Sequence, residues 1–164
     1  MSRSVPPRLL QRIKALVLDV DGVLTDGGMY YGPAGEGLKR FNVKDGLGLR
    51  LIVEAGVVVA LISGENSEIL RRRAEKLKLE NVFVGVEDKL ATLKQFLALK
   101  KVALEDVAYV GDDLNDLEAL RVVGLPIAVA DAVPQVRKAA RWVTTRRGGD
   151  AAVREVCDAL LAVR

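Results

Sequence analysis

Short apolar runs alternate with longer amphipathic segments along this chain. The runs at residues 15–20, 57–62 and 107–110 are almost wholly apolar, as in strands that are buried on both faces. Between them, apolar residues recur three or four positions apart, which predicts helices. Strands that alternate with helices predict a parallel sheet covered on both sides. We therefore predict an α/β fold: a three-layer, Rossmann-like, doubly wound parallel sheet.

The other elements follow from the same periodicities. Glycine is favourable just after the end of a helix, and Gly56 therefore marks the end of a predicted helix over about residues 45–55. We predict helices over about residues 45–55, 66–79, 89–99, 115–122, 134–140 and 151–163, and further short strands at 82–84, 127–129 and 142–144.

Residues 25–42 break the pattern. This glycine-rich stretch has two short apolar segments around Gly32-Pro33-Ala34-Gly35, which predicts a projecting β-hairpin. A bare hairpin is marginal in water, so we expect it to pack against another surface, such as that of a second subunit. Apart from this hairpin, the chain has no insertion large enough for a cap domain and no linker, which predicts a single domain over 1–164.

Composition excludes several function classes. The 164 residues include no histidine, which rules out a Ser-His-Asp triad, a phosphohistidine route and a His-ligated zinc site. The single cysteine allows no disulfide within the chain, and no apolar stretch reaches the length of a signal peptide or a membrane span. These features predict a cytoplasmic protein with no membrane partner. The net charge of +3 is too small to argue for nucleic acid.

Two acidic clusters directly follow predicted strands. The first is Asp19-Val20-Asp21-Gly22, which as a structural feature alone would be a solvated turn. The second is Gly111-Asp112-Asp113-Leu114-Asn115-Asp116, where one acid could cap a helix but three exceed that need. Oxygen-rich loops of this kind suit Mg²⁺. Ligands of parallel sheets bind at the carboxyl ends of strands, where both clusters fall.

Ser63 ends another predicted strand and Lys89 starts a predicted helix. Taken singly, each is consistent with a structural or solvated role. Together with the acids they supply what phosphoryl transfer requires: a carboxylate nucleophile, a second carboxyl group that moves a proton, a metal ion, and a hydroxyl and an ammonium that hold phosphate oxygens.

These motifs, in their order along nearly the whole chain, resemble those of the haloacid dehalogenase superfamily: Asp19-x-Asp21-Gly22-x-Leu24-Thr25-Asp26, Ser63, Lys89 and Gly111-Asp112-Asp113-x-x-Asp116. The resemblance implies a phosphatase in which Asp19 is the nucleophile that forms an aspartyl-phosphate. Asp21 would be the general acid and then the general base. Ser63, Gly64 and Lys89 would bind the phosphoryl oxygens. The implied Mg²⁺ site comprises Asp19, the Asp21 backbone carbonyl and Asp112, supported by Asp113 or Asp116.

Within the superfamily, the chain looks like the capless subgroup that dephosphorylates 3-deoxy-2-keto sugar acids in lipopolysaccharide or sialic acid biosynthesis. That resemblance implies a homotetramer built through the hairpins, in which a neighbour closes each site. The implied substrate-binding residues are Lys39, Asn42, Asp45, Glu65, Arg146 and Arg147. Phosphatases of the eight-carbon octulosonate 8-phosphate usually have arginine at position 65. The glutamate here favours a nine-carbon nonulosonate 9-phosphate slightly.

Three alternatives remain at this stage. A broad-specificity sugar-phosphate phosphatase would use the same residues. A receiver-type signalling domain also combines acids, a hydroxyl and a lysine on a parallel sheet, but without Asp-x-Asp after the first strand. A catalytically silent oligomerising or regulatory module would have no need of all four motifs.

Overall fold

Strands and helices alternate along residues 5–164, the part of the chain that this computed structural model describes. The strands are β1 (Ala15–Leu18), β2 (Tyr30–Gly32), β3 (Gly35–Leu38), β4 (Val58–Ile62), β5 (Asn81–Phe83), β6 (Val107–Gly111), β7 (Leu125–Ala128) and β8 (Trp142–Val143). The helices are α1 (Pro7–Arg12), α2 (Val43–Glu54), α3 (Glu68–Leu77), α4 (Lys89–Lys100), α5 (Leu117–Leu120), α6 (Pro134–Ala139) and α7 (Ala152–Leu161).

Six strands form one parallel sheet in the order β5-β4-β1-β6-β7-β8. β1 lies inside it, with Leu18 level with Leu61 of β4 and Val110 of β6. All four residues of β1 are buried because helices cover both faces: α1, α2, α3 and α7 contact one another in one group, and α4, α5 and α6 in a second. The predicted doubly wound, three-layer fold is confirmed.

The predicted hairpin is the antiparallel pair β2–β3, which forms a separate two-stranded sheet. An isolated bridge between Thr25 and Phe41 closes its base. Tyr30, Tyr31 and Leu38 are exposed on it. Within the described residues, only this hairpin lies between β1 and α2, and only β5 lies between α3 and α4, so no cap domain is inserted at either place.

Three elements differ from the predictions, one of which is an unpredicted 3₁₀ turn at Leu104–Asp106. α1 was not predicted; it begins with a proline, whose fixed φ suits the first helical turn. The helix predicted over 115–122 is instead a 3₁₀ turn at Leu114–Asp116 followed by the single-turn α5. Asp113 and Asp116 form a reciprocal capping box there, which tightens the chain into the 3₁₀ turn.

Among the described residues, no helix has both the length and the apolar composition that crossing a membrane requires. The cytoplasmic location and the single domain over 1–164 stay predictions, and residues 1–4 of that range lie outside the described residues.

The segment before α7 packs directly on the loop after β1. Gly149 N donates to Val23 O at 3.0 Å, and a Cβ on Gly148 would lie 1.7 Å from Gly22 O. The backbones therefore approach so closely that only glycine fits at position 148. Asp131 strengthens the contact, since its Oδ1 accepts a hydrogen bond from Gly148 N at 2.9 Å.

We predict that Gly148→Ala lowers the free energy of unfolding by about 1–3 kcal/mol, the usual cost of forcing an atom into a packed position. Chemical denaturation measures this change directly. Gly32→Ala is the matched control, because a Cβ there meets no atom within 4 Å. Equal stability of the two variants would contradict the close contact between Gly148 and the loop.

Candidate active site

Three carboxylates meet at the carboxyl end of the sheet. Asp19 follows β1, Asp112 follows β6, and Asp116 ends the 3₁₀ turn. One oxygen from each lies within 4.8 Å of the others. Asp19 and Asp116 are buried, and Asp112 is half-buried. The fold thus brings together acids that are far apart in sequence.

The ammonium group of Lys89 lies among these carboxylates. Lys89 begins α4, which Asp88 caps by accepting a hydrogen bond from Ala91 N at 2.8 Å. Lys89 Nζ donates to Asp19 Oδ1 at 2.7 Å and to Asp116 Oδ1 at 2.8 Å. Burial disfavours the ammonium, but the two carboxylates outweigh burial and raise the pKa of Lys89. Lys89 is therefore a permanent cation at neutral pH.

Donors of the protein surround both oxygens of Asp116. Besides Lys89, Oδ1 accepts the Tyr109 hydroxyl at 2.8 Å. Oδ2 accepts the backbone N–H of Asp112 at 3.0 Å and of Asp113 at 3.5 Å. Asp116 was predicted to support the metal ion. In the structure its oxygens hold Lys89 and the backbone of the acidic loop.

Tyr109 is not among the site residues predicted from the sequence. This residue is fully buried in β6. Burial and the negative charge of Asp116 raise the pKa of Tyr109 well above its usual value, so the phenol stays a hydrogen-bond donor. Its position within a buried aliphatic run could have indicated this role, because the hydroxyl of a buried tyrosine needs a hydrogen-bond partner.

The surroundings of Asp19 and Asp112 disfavour their ionised forms. Burial and the charge of Asp116 raise the pKa of Asp19 to about 6, despite Lys89. Burial and the adjacent Asp19 raise the pKa of Asp112 to about 8. In addition, Asp112 Oδ1 is buried without a hydrogen-bond partner. A hard divalent cation relieves such repulsion and uses such an oxygen, so these residues fit Mg²⁺.

A pocket of about 400 Å³ opens beside this cluster. Its lining residues are Asp19, Asp21, Gly64, Glu65, Asp112, Asp113 and Asn115. Five of the seven are acidic and none is basic, so an anionic ligand in this pocket requires a bound cation. Asp113, a predicted metal ligand, is exposed, and its Oδ1 accepts a hydrogen bond from Leu114 N at 2.7 Å.

The loop after β1 takes its shape from two residues. Gly22 has φ +89°, and a Cβ there would lie 2.0 Å from Asp112 Oδ2. The missing side chain allows Asp112 to approach the loop. Thr25 is fully buried, and its Oγ1 accepts hydrogen bonds from Gly22 N and Gly27 N, each at 3.2 Å. The loop is therefore fixed from within.

Ser63 directly follows β4 and is buried, and its Oγ accepts a hydrogen bond from Glu65 N at 3.2 Å. Gly64 and Glu65 line the pocket itself. Of these three consecutive predicted residues, Gly64 and Glu65 therefore line the pocket, and Ser63 is buried next to them in the chain.

Lys39 also reaches the site, but its charge is already paired. Its Nζ lies 2.5 Å from Asp21 Oδ1 and 2.7 Å from Glu36 Oε1, and its side chain is only 1% exposed. Burial acts against the ammonium, while the hydrogen bonds to Asp21 and Glu36 prevail and raise the pKa of Lys39. Glu36 is a second residue at the site that was not predicted from the sequence.

Two predicted substrate-binding residues lie in structural positions. Asn42 caps α2 by accepting a hydrogen bond from Lys44 N at 2.9 Å, and its Nδ2 donates to Gly149 O at 3.4 Å. Asp45 is buried, and its Oδ1 accepts a hydrogen bond from Arg154 N at 2.8 Å, which joins α2 to the start of α7. Neither residue is among those that line the acidic pocket.

The two predicted arginines lie outside the acidic pocket of the same chain. Arg146 lines a second pocket of about 450 Å³ with Lys44, Arg154 and other residues. Arg147 Nε donates to Asp131 Oδ2 at 3.3 Å on the surface. Neither arginine is therefore among the residues that line the acidic pocket.

Comparison with known proteins agrees with this geometry. A family model described as haloacid dehalogenase-like hydrolase matches residues 81–155. The chain is 45% identical over 149 residues to the 3-deoxy-D-manno-octulosonate 8-phosphate phosphatase KdsC of Yersinia pestis, covering 91% of this chain and 80% of the relative. The Escherichia coli K12 protein of that name is 45% identical over 151 residues, covering 92% and 80%.

Two solved structures share the fold over almost the whole chain. The crystal structure of the Yersinia pestis phosphatase has a TM-score of 0.93 at 43% identity, covering 96% of this chain and 85% of that one. The Moraxella catarrhalis phosphatase, crystallised with a magnesium ion, a phosphate ion and KDO, has a TM-score of 0.93 at 38% identity, covering 96% and 91%. The chain therefore belongs to the haloacid dehalogenase-like hydrolases, in the group of capless phosphatases that these relatives represent.

Proposed function

We propose that this chain is a Mg²⁺-dependent phosphomonoesterase that acts on a 3-deoxy-2-keto sugar-acid phosphate. One observation carries the proposal: Asp19 is held by Lys89 at the edge of an acidic pocket, beside an Asp112 oxygen without a partner. The names of the relatives support the substrate class.

The Mg²⁺ ligands in this proposal are the Asp19 and Asp112 carboxylates and the backbone carbonyl of Asp21, with Asp113 in support. Asp116 supports the site by holding Lys89 and the acidic loop, because its oxygens already accept hydrogen bonds from the protein. When bound, Mg²⁺ neutralises charge on the phosphate and lets it enter a pocket of carboxylates.

The reaction begins at Asp19. A carboxylate oxygen of Asp19 forms a bond to phosphorus while the bond from phosphorus to the leaving oxygen breaks. The carboxyl group of Asp21 gives its proton to that oxygen, so the sugar leaves as an alcohol. This step also requires Asp19 to be ionised and correctly oriented. The hydrogen bond from Lys89 to Asp19 keeps it so.

Hydrolysis of the aspartyl-phosphate completes the cycle. Asp21, now a carboxylate, removes a proton from water as the water oxygen attacks phosphorus. The bond between phosphorus and Asp19 then breaks, which releases phosphate and restores both residues. Ser63, Gly64 and Lys89 bind the phosphoryl oxygens during both steps in this proposal.

Substrate choice within the class depends on Glu65 in this proposal. A carboxylate at the pocket wall accepts hydrogen bonds from sugar hydroxyls, whereas a guanidinium can only donate them, so the residue at this position selects among arrangements of hydroxyl groups. We therefore propose a preference for a nine-carbon nonulosonate 9-phosphate over the eight-carbon octulosonate 8-phosphate for which the relatives are named.

We also propose that four copies of the chain associate through the hairpins. Tyr30, Tyr31 and Leu38 are 52–66% exposed on β2 and β3, and such an apolar patch marks an interaction surface. A neighbouring copy would enclose the open pocket and bring its own Arg146 or Arg147 towards the carboxylate of the substrate. Light scattering on the purified protein measures the number of copies.

Phosphate release from a panel of esters tests the proposed function. The panel comprises octulosonate 8-phosphate, two nonulosonate 9-phosphates and several hexose phosphates, each with Mg²⁺ and with chelator. We expect Mg²⁺-dependent release that favours one sugar acid. Flat release across the panel would indicate the broad-specificity alternative, and no release would favour the silent module.

The same assay tests the two catalytic roles. Asp19→Asn should abolish turnover, because an amide cannot form the acyl-phosphate. Asp21→Asn should slow turnover by about 10²–10⁴-fold, the usual share of general acid–base catalysis, and leave Mg²⁺ binding largely intact. Full activity of Asp19→Asn would contradict the mechanism.

Removal of the metal should expose the repulsion between Asp19 and Asp112. In chelator, Asp112→Asn should raise Tm by about 2–4 °C, the shift that ~1 kcal/mol gives at this size. The same variant should lose the rise in Tm that Mg²⁺ gives the wild-type protein. Glu118→Gln, which removes an exposed acid, is the control. An undiminished Mg²⁺ effect in Asp112→Asn would contradict the ligand assignment.

Glu65→Arg should shift the ratio of kcat/KM towards octulosonate 8-phosphate by about tenfold or more, because it replaces an acceptor of hydrogen bonds from the sugar hydroxyls with a donor. Glu65→Gln separates loss of the carboxylate from gain of the guanidinium. Unchanged ratios in both variants would show that Glu65 does not select the substrate.

A further inference from the structure

Lys39 is buried between two carboxylates, one of which belongs to the pocket. It follows directly on β3, and its ammonium contacts Asp21 Oδ1 at 2.5 Å and Glu36 Oε1 at 2.7 Å. With a side chain only 1% exposed, Lys39 has little access to a ligand in the pocket. Its contacts are instead with the residue proposed to exchange protons.

Glu36 is itself held from the other side. Its Oε2 accepts the Ser67 hydroxyl at 2.5 Å. Ser67 is buried and caps α3, since its Oγ also accepts a hydrogen bond from Leu70 N at 3.3 Å. A continuous chain of contacts therefore runs from α3 through Ser67 and Glu36 to Lys39, and ends on Asp21.

This chain, which we name the Lys39 network (Lys39, Glu36 and Ser67), joins three separate elements. The hairpin supplies Lys39 and Glu36, the capping position before α3 supplies Ser67, and the loop after β1 supplies Asp21. Asp21 is 23% exposed and lines the pocket, so its carboxyl group could rotate without a fixed partner. A buried, doubly paired ammonium is a firm partner because moving it would leave charges unpaired.

We propose that Lys39, held by Glu36 and Ser67, is a positioning residue for Asp21. Lys39 fixes one oxygen of the Asp21 carboxyl group, so the other oxygen is the one that gives its proton to the leaving alcohol and later takes a proton from water. The inference rests on the proposed function, and it replaces the direct contact with substrate that the sequence predicted for Lys39.

A positioning role has a distinctive consequence. Protonation of the leaving oxygen matters most for a poor leaving group and little for 4-nitrophenolate, which departs without a proton. A variant in which Asp21 is no longer oriented should therefore lose far more activity on phenyl phosphate than on 4-nitrophenyl phosphate. The parameter to compare is kcat/KM, because it reports the steps up to formation of the aspartyl-phosphate and excludes its hydrolysis.

The experiment measures kcat/KM of the full chain with Mg²⁺ for both aryl esters and for the preferred sugar-acid phosphate. We expect Lys39→Met to lower kcat/KM for phenyl phosphate about ten- to a hundredfold more than for 4-nitrophenyl phosphate, within the usual range of general acid catalysis. Lys39→Arg should restore part of the loss, and Glu36→Gln should change the two esters in the same sense by a smaller factor.

Lys94→Met is the matched control, since Lys94 is exposed on α4. Retained hydrolysis of 4-nitrophenyl phosphate by Lys39→Met would show that the variant is folded, and Glu36→Gln tests the network if it is not. Equal losses on both aryl esters, or no loss, would overturn the inference. A higher KM for the sugar-acid phosphate alone would overturn it in favour of direct substrate binding. Absence of Mg²⁺-dependent hydrolysis by the wild-type protein would instead refute the proposed function.

Discussion

The ion pairs of Lys89 are the interaction on which the site depends. Asp19, Asp112 and Asp116 crowd within 4.8 Å, and burial alone would drive such acids to bind protons. One buried ammonium bonds Asp19 and Asp116 together and so allows a carboxylate to persist at the end of β1. The ammonium neutralises only part of the negative charge of the cluster, as the raised pKa values of Asp19 and Asp112 indicate. The negative charge that remains makes the cluster suitable for binding a cation.

Local patterns were sufficient to predict the scaffold and the approximate position of the site. A buried parallel strand requires a continuous apolar run, and the chain can turn towards solvent only where that run stops. The acids and the serine at those stops therefore share one edge of the sheet. Boundaries were less certain: the capping box of Asp113 and Asp116 converts the start of a predicted helix into a 3₁₀ turn, which helical periodicity does not reveal.

Partners at long sequence separation could not be predicted. Glu36 and Ser67 pair across 31 positions, and Asp45 meets Arg154 across 109. Each of these residue types also occurs on solvated surfaces, so its partner follows only from the folded chain. The resemblance to known phosphatases indicated residues that lie near the site but not their contacts. For Lys39, Asn42 and Asp45, those contacts are with other parts of the protein.

The division between buried and exposed groups separates chemistry from recognition in the proposed enzyme. Asp19, Lys89, Asp116 and Tyr109 are buried and mutually bonded, so a change at one of them disturbs the others. Glu65 is exposed at the pocket wall, and its backbone makes the hydrogen bonds to Ser63 Oγ and from Gly85 N. Its side chain can therefore vary at little cost to the buried network. A capless phosphatase built in this way can change its sugar acid while its phosphoryl-transfer groups stay in place.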